Sequence, residues 1–190
     1  MTAPLLAFDR VTLRRGGRIL FEDLSLALEA GAGIHVKGPN GAGKSSLIRL
    51  VAGLLQPQAG AVTRTALALA DDSLALDFEL PLRRALAFWS GLGGTGDRLD
   101  GALAELALAQ LADVPVRLLS TGQIKRASLA RVAASDARLW LLDEPLNGLD
   151  AESVHRVSNL LAAHRSAGGA ILAASHLALT GDWAQLEIGG

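Results

Sequence analysis

The sequence contains no cysteine, which excludes a disulfide framework, a thiolate metal site and a cysteine nucleophile. It also lacks an excess of charge of either sign: 18 Lys and Arg stand against 19 Asp and Glu, a formal net charge of -1. Broad electrostatic binding to nucleic acid relies on clustered Lys and Arg, so that class of partner is not expected. No uncharged apolar run reaches the roughly 18 residues of a membrane-spanning helix. The opening stretch MTAPLLAFDR lacks a charged n-region, and Asp9 cuts its apolar run short, so it does not read as a signal peptide. A soluble, cytoplasmic chain is expected. The mean hydropathy of +0.33 is high for one, from Ala- and Leu-richness or from surfaces that become covered.

Half of the residues are hydrophobic and 19% are charged, the profile of one globular domain with a sizeable core. No internal repeat, low-complexity block or Pro/Ser-rich linker divides it. Residues 6–13 (LAFDRVTL) and 24–31 (LSLALEAG) read as strands, and GIHV at 33–36 as a short apolar one. Leu47, Leu50, Val51 and Leu54 recur at helical spacing, with Gln56-Pro57 and Gly60 expected to stop that helix. The stretch from about 71 to 137 is mostly helical in pattern. Pro81 is placed to open one helix, and LDGALAELALAQLA at 99–112 forms another. LWLLD at 139–143 and AILAAS at 170–175 read as buried parallel strands, joined by a helix closed at Gly168-Gly169. Strand, Gly-rich loop, helix, helical insert, strand, helix, strand describes an α/β domain with an inserted helical subdomain.

Gly38-Pro39-Asn40-Gly41-Ala42-Gly43-Lys44-Ser45 matches the eight-residue phosphate-loop pattern without a mismatch. Its glycines let backbone N–H groups curl around phosphate oxygens. Lys44 can reach the β- and γ-phosphates, Ser45 offers a hydroxyl to Mg²⁺, and the helix beginning at Ser45–Ser46 aims its positive end at the phosphates. Asp143 and Glu144 follow a buried strand at the sheet edge where such folds bind ligands. Asp143 is placed to hold Mg²⁺, and Glu144 to polarise the attacking water. His176 leaves the neighbouring strand at the same edge, within reach of a γ-phosphate. His35, His155 and His164 are assigned no role.

These pieces in this order resemble the nucleotide-binding subunits of ABC transporters. GPNGAGKS resembles the Walker A motif, LWLLDE the Walker B motif with its catalytic glutamate, LSTGQ at 119–123 the signature motif, NGLD the D-loop and SH the switch histidine. Within that superfamily LFEDLSLALEAG, KGPNGAGKSSLIRLVAGLLQPQAG, LSTGQIKRASLARV and RLWLLDEPLNGLD resemble the ATP-binding subunits of bacterial haem exporters for cytochrome c maturation. The resemblance implies a P-loop NTPase fold: a RecA-like α/β core (about 1–70 and 138–190) with an N-terminal β-subdomain and a helical subdomain at about 71–137. It implies ATP and Mg²⁺ as ligands, with Lys44, Glu144 and His176 catalytic and the remaining loop residues and Ser46 binding phosphate. It also implies a dimer in which Ser120, Thr121, Gly122 and Gln123 contact a nucleotide held by the partner copy, on a helix made basic by Lys125 and Arg126. Integral membrane subunits would be the other partners, at the cytoplasmic face of the inner membrane. Haem would not touch this chain, which also lacks the Cys-x-x-Cys-His needed to attach it. Other transporters, and non-transport ABC ATPases, share much of this wording.

Three positions depart from the pattern. Thr121 stands where the signature usually has a glycine; a β-branched residue disfavours positive φ, so an ordinary backbone is expected there. Arg15 lies near the place of the adenine-stacking aromatic, and a guanidinium can stack on a ring. The loop that usually gives a glutamine to Mg²⁺ reads LALADDSLALDFELP, where Asp71, Asp72 or Ser73 falls instead. Asp72 is the weak candidate ligand, as an oxygen donor.

Overall fold

The computed structural model describes residues 3–71, 76–90 and 96–189. By backbone contacts the chain divides into two compact units. The first comprises Met1–Leu69, Ala137–Glu144 and Ala163–Gly190, the second Ala70–Asp136 and Pro145–Ala162. Asp72 and Ser73 lie outside the described residues.

The first unit is built on two sheets. Strands β1 (Leu6–Arg15), β2 (Arg18–Leu28) and β4 (Ala59–Arg64) form an antiparallel sheet in the order β2-β1-β4. The other sheet takes the order β5-β6-β7-β3-β8, from β5 (Leu67–Ala70), β6 (Leu139–Asp143), β7 (Ala170–Ala174), β3 (Gly33–Lys37) and β8 (Ala184–Glu187). β6, β7, β3 and β8 run parallel. Every residue of β6 and β7 is buried, which is why both read as unbroken apolar runs rather than alternating ones. Ile34, Val36, Leu139, Leu141, Leu172 and Ala174 join one core with Leu47, Ile48 and Val51 of helix α1 (Lys44–Val51) and with Leu6 and Phe8 of β1. The residues between them, His35, Leu142 and Ala173, therefore belong to the opposite face of the sheet.

Strands β4, β5 and β8 carry no legible pattern. β4 is exposed at every position but Val62, so no alternation of apolar and polar residues announces it. α1 also ends earlier than Gln56-Pro57 suggested. Gly53 adopts φ +81, its N–H bonds Leu50 O at 3.0 Å, and the N–H of Leu54 bonds Arg49 O at 2.9 Å. This left-handed cap satisfies the last carbonyls and closes the helix at Val51.

The second unit contains helices α2 (Leu82–Ser90), α3 (Gly96–Glu105) and α4 (Thr121–Ala133), and α5 (Ala151–Ser166) as far as residue 162. Leu82, Leu86, Leu99, Leu103, Leu106 and Leu129 are buried in it. Pro81 stands immediately before α2 and accepts the N–H of Ala85 through its carbonyl. The single helix expected over 99–112 is broken after Glu105. Ala107 turns left-handed, at φ +52. Its N–H bonds Ala104 O at 3.1 Å, and the N–H of Leu108 bonds Leu103 O at 2.7 Å. The rest of that range holds a 3₁₀ turn, Ala109–Leu111. Arg126 of α4 donates to Leu106 O at 2.7 Å and to Ala107 O at 3.3 Å, so a side chain from elsewhere stabilises a stop that no glycine marks. Among the described residues no helix is long and apolar enough to cross a membrane.

The left-handed alanine yields a stability prediction. An L-residue in that conformation costs about 1–2 kcal/mol, while glycine costs about 0.5–1 kcal/mol in added freedom of the unfolded chain. Ala107→Gly should therefore raise the unfolding free energy, by about 0.5–1 kcal/mol on that difference. Urea denaturation checks it, and equal or lower stability would contradict the strain at Ala107.

Candidate nucleotide site

Three strands of the parallel sheet end at one edge. Val36 pairs with Ala174, and Ala174 pairs with Asp143, so the residues that follow each strand emerge side by side. After β3 comes the loop 38–43, after β6 Glu144, and after β7 Ser175-His176. Together with the β1–β2 hairpin they line a cavity of about 560 Å³. Asn40, Gly41, Gly43, Lys44, Ser45, Ser46, Glu144 and His176 all contribute to its wall.

The loop's shape is fixed by close approach. Gly38 has φ +149, and a β-carbon there would stand 2.3 Å from the carbonyl oxygen of Ile188. The residue is glycine because the segment following β8 leaves no room for any other. Gly43 caps α1 in a left-handed conformation, at φ +110. Lys44 is buried, with its Nζ donating to Gly38 O at 2.7 Å and Pro39 O at 3.1 Å. The ammonium is thereby held by two carbonyls at the start of the loop. Ala42 is buried and donates its N–H to Pro39 O at 3.2 Å. Ser46 is also buried, and its hydroxyl accepts from Arg15 Nη1 at 3.2 Å.

The acidic side is equally constrained. Asp143 ends β6 and is buried. Glu144 still donates its N–H to Ala174 O at 2.8 Å, then turns left-handed at φ +49. That conformation is strained for a residue with a β-carbon, costing about 1–3 kcal/mol. Its carboxylate is gripped on both oxygens: His176 Nε2 lies 3.1 Å from Oε1, and the N–H of His176 donates to Oε2 at 3.2 Å. The Glu144 side chain is 14% exposed and that of His176 44%, so the pair faces the cavity with the histidine outermost.

Arg15 lines the wall, and Arg18 and Leu20 join it unanticipated. The signal was present in LRRGGRIL. Gly16 and Gly17 both take positive φ, at 56 and 81, forming a two-residue hairpin loop that pairs Arg15 with Arg18. Leu20 lies where a β-carbon on Gly43 would approach it to 3.2 Å.

The turn Ser120–Gln123 belongs to the second unit. Ser120 caps α4 with its Oγ accepting the Gln123 N–H at 3.3 Å, while Gln123 Oε1 accepts the Ser120 N–H at 2.8 Å. This is a reciprocal capping box, readable from Ser-x-x-Gln and missed in the sequence. Thr121 is the first helical residue and is absent from the positive-φ positions, in line with its β-branch. The N–H groups of Thr121 and Gly122 lie in the first turn, where a helix supplies no acceptor. Arg126 donates to the carbonyls that end α3. Asp71, Thr121, Lys125 and Ser128 line a smaller cavity of about 210 Å³. Asp71 also acts on Arg131, whose pKa burial lowers and the Asp71 charge raises. Asp150 caps α5, accepting the Ser153 N–H at 2.7 Å; that bond holds its carboxyl below the usual range.

The model of the ABC transporter family matches residues 21–147. A cytochrome c biogenesis ATP-binding export protein CcmA of Sphingopyxis alaskensis is 56% identical over 177 residues, covering 92% of this chain and 91% of that protein. The CcmA of Novosphingobium aromaticivorans is 57% identical over 173 residues, covering 90% and 88%. Among solved structures, a putative ABC transporter ATP-binding protein from Pyrococcus furiosus shares the fold, with a TM-score of 0.85, 19% identity and 96% of each chain covered. With a phosphate loop, a strand-end glutamate and a histidine around one cavity, and with these relatives along nearly its whole length, the chain belongs to the ABC transporter ATP-binding family, among the cytochrome c biogenesis ATP-binding export proteins.

Proposed function

We propose that this chain hydrolyses ATP as a dimer to drive an exporter complex that moves or releases haem during cytochrome c maturation. The observation that carries the reading is the one cavity in which the phosphate loop, Lys44, Ser45, Glu144 and His176 meet. The loop N–H groups, Lys44 and the N-terminus of α1 bind the triphosphate. The Glu144 carboxylate accepts a proton from the attacking water. The His176 N–H donates to that carboxylate and the imidazole stands beside it, so the base is oriented before substrate arrives.

Ser45 and Asp143 supply a hydroxyl and a carboxylate, the hard oxygen donors that suit Mg²⁺. Among the described residues no group of three or more His, Cys, Asp or Glu could hold a metal. That fits an ion held by one or two protein oxygens, water and the nucleotide's phosphates. When bound, Mg²⁺ neutralises charge on the β- and γ-phosphates. Asp72 is proposed only as a further oxygen donor to Mg²⁺.

The other wall of each site is the Ser120–Gln123 turn of the second copy. The capping box supports this, because it settles the N–H groups of Ser120 and Gln123 and leaves those of Thr121 and Gly122 for an anion at the positive end of α4. The Ser120 hydroxyl, an acceptor inside the box, retains a proton to donate. The second unit then acts as the helical subdomain of a single cassette. The chain sits peripherally at the cytoplasmic face of the inner membrane against integral subunits, which carry the haem; no nucleic acid takes part.

Glu144→Gln keeps the side chain's shape but removes the base. The variant should form a stable dimer with MgATP and revert to monomer without it, as read by sedimentation; a monomer at millimolar ATP would contradict the shared site. For the cargo, cells lacking this chain should accumulate apocytochromes c without covalent haem. Normal holocytochrome levels in a haem stain would sink the export reading.

A further inference from the structure

Of the histidines with no part in the site, His155 faces its neighbour Asn159 and is exposed, at 3.2 Å, and His164 stacks on Trp140 with ring centroids 3.6 Å apart. His35 differs. It is 2% exposed, in the middle of the strand that feeds the phosphate loop. Its partner in register is Ala173 of β7, and its ring extends beyond that strand's end to place Nε2 2.9 Å from the carbonyl oxygen of Ser175. A carbonyl only accepts, so Nε2 carries the proton and donates.

The Ser175 carbonyl and the His176 N–H are the two ends of one planar peptide unit. His35 holds one end, and the other donates to Glu144 Oε2. In a trans peptide the two groups point in opposite directions within the plane, so a rotation that loosens one bond loosens the other. The bond to the carbonyl also polarises the amide and strengthens its N–H as a donor. Beyond it, Ser175 Oγ accepts the Leu177 N–H at 3.0 Å, which fixes the chain on the far side. The carboxylate held in this way sits on a left-handed, strained residue and depends on outside groups to stay in place.

We propose that His35 is a positioning residue for ATP hydrolysis: by gripping the 175–176 peptide from the buried face of the sheet, it fixes the orientation of the Glu144 carboxylate. The proposal rests on the reading of Glu144 as general base. It separates His35 from a histidine that merely satisfies its own buried nitrogen, since such a residue affects folding and not turnover.

The test uses the full chain assembled with its membrane subunits. His35→Leu removes the donor, and His35→Gln restores one at the reach of Nε2. In His35→Leu, kcat should fall by about ten- to a hundredfold, the scale of a catalytic group misplaced by up to about an ångström, with KM for ATP changing less than about twofold. His35→Gln should recover most of the rate. A native kcat in His35→Leu, or equal losses in both variants, overturns the proposal. If the leucine variant does not fold, His35→Asn replaces it, since its amide is too short to reach Ser175. The same comparison with His35→Gln then decides. Glu144→Gln runs alongside. If it still hydrolyses ATP, the general-base reading falls and the proposal with it; if it is inactive while His35→Leu is not, only the proposal falls.

Discussion

The register across three buried parallel strands governs the whole site. Val36, Ala174 and Asp143 lie in line across β3, β7 and β6, and nothing polar interrupts β6 before its last residue. One line of paired residues therefore delivers the phosphate loop, the histidine and the acid pair to a single edge. A slip of one residue in any of the three strands would turn its side chains to the wrong face and dismantle the cavity. The apolar runs that look least functional are what give the polar groups their geometry.

Above that edge the fold spends stability on charge. A lysine is buried over a loop of carbonyls, a glutamate occupies a left-handed backbone, and a glycine is forced at residue 38 by the carbonyl of Ile188. The lysine is held by two carbonyls of its own loop, and the glutamate by the end of β7 and the residues that follow it. Helix N-termini recur as the other resource. α1 opens on the loop through Gly43, while α4 opens on a capping box that ties up two N–H groups and spares two. Both ends carry the partial positive charge that favours an anion.

What could be read in the sequence was what is local. The loop from Gly38 to Ser45, the acids after LWLLD and the histidine after AILAAS each declare themselves within a few residues, and the strands beneath them are marked by continuous hydrophobicity. β4 was invisible because almost all of it is exposed. The break after Glu105 was invisible because an alanine takes the left-handed turn and Arg126, far along the chain, stabilises it. The capping box was there to be read in Ser-x-x-Gln. His35 was not: its partner is 140 residues away, and no spacing rule reports such a contact. Arg126 reads in the sequence only as charge, and in the fold it is also a structural donor. A cation's sequence position says little about which carbonyl it will find.

The central claim is that each site is completed by a second copy of the chain, and subunit mixing tests it most directly. Lys44→Ala disables the phosphate loop. Gly122→Asp should leave the fold intact, because a β-carbon there meets only ordinary contacts and an acid suits the first turn of a helix. Its carboxylate, however, opposes a phosphate. Each variant alone should be inactive. In a mixed dimer one site would carry both lesions and the other neither, so ATP hydrolysis should return. If the mixed dimer remains as inactive as its parents, the turn and the loop serve the same copy, and the shared site is wrong.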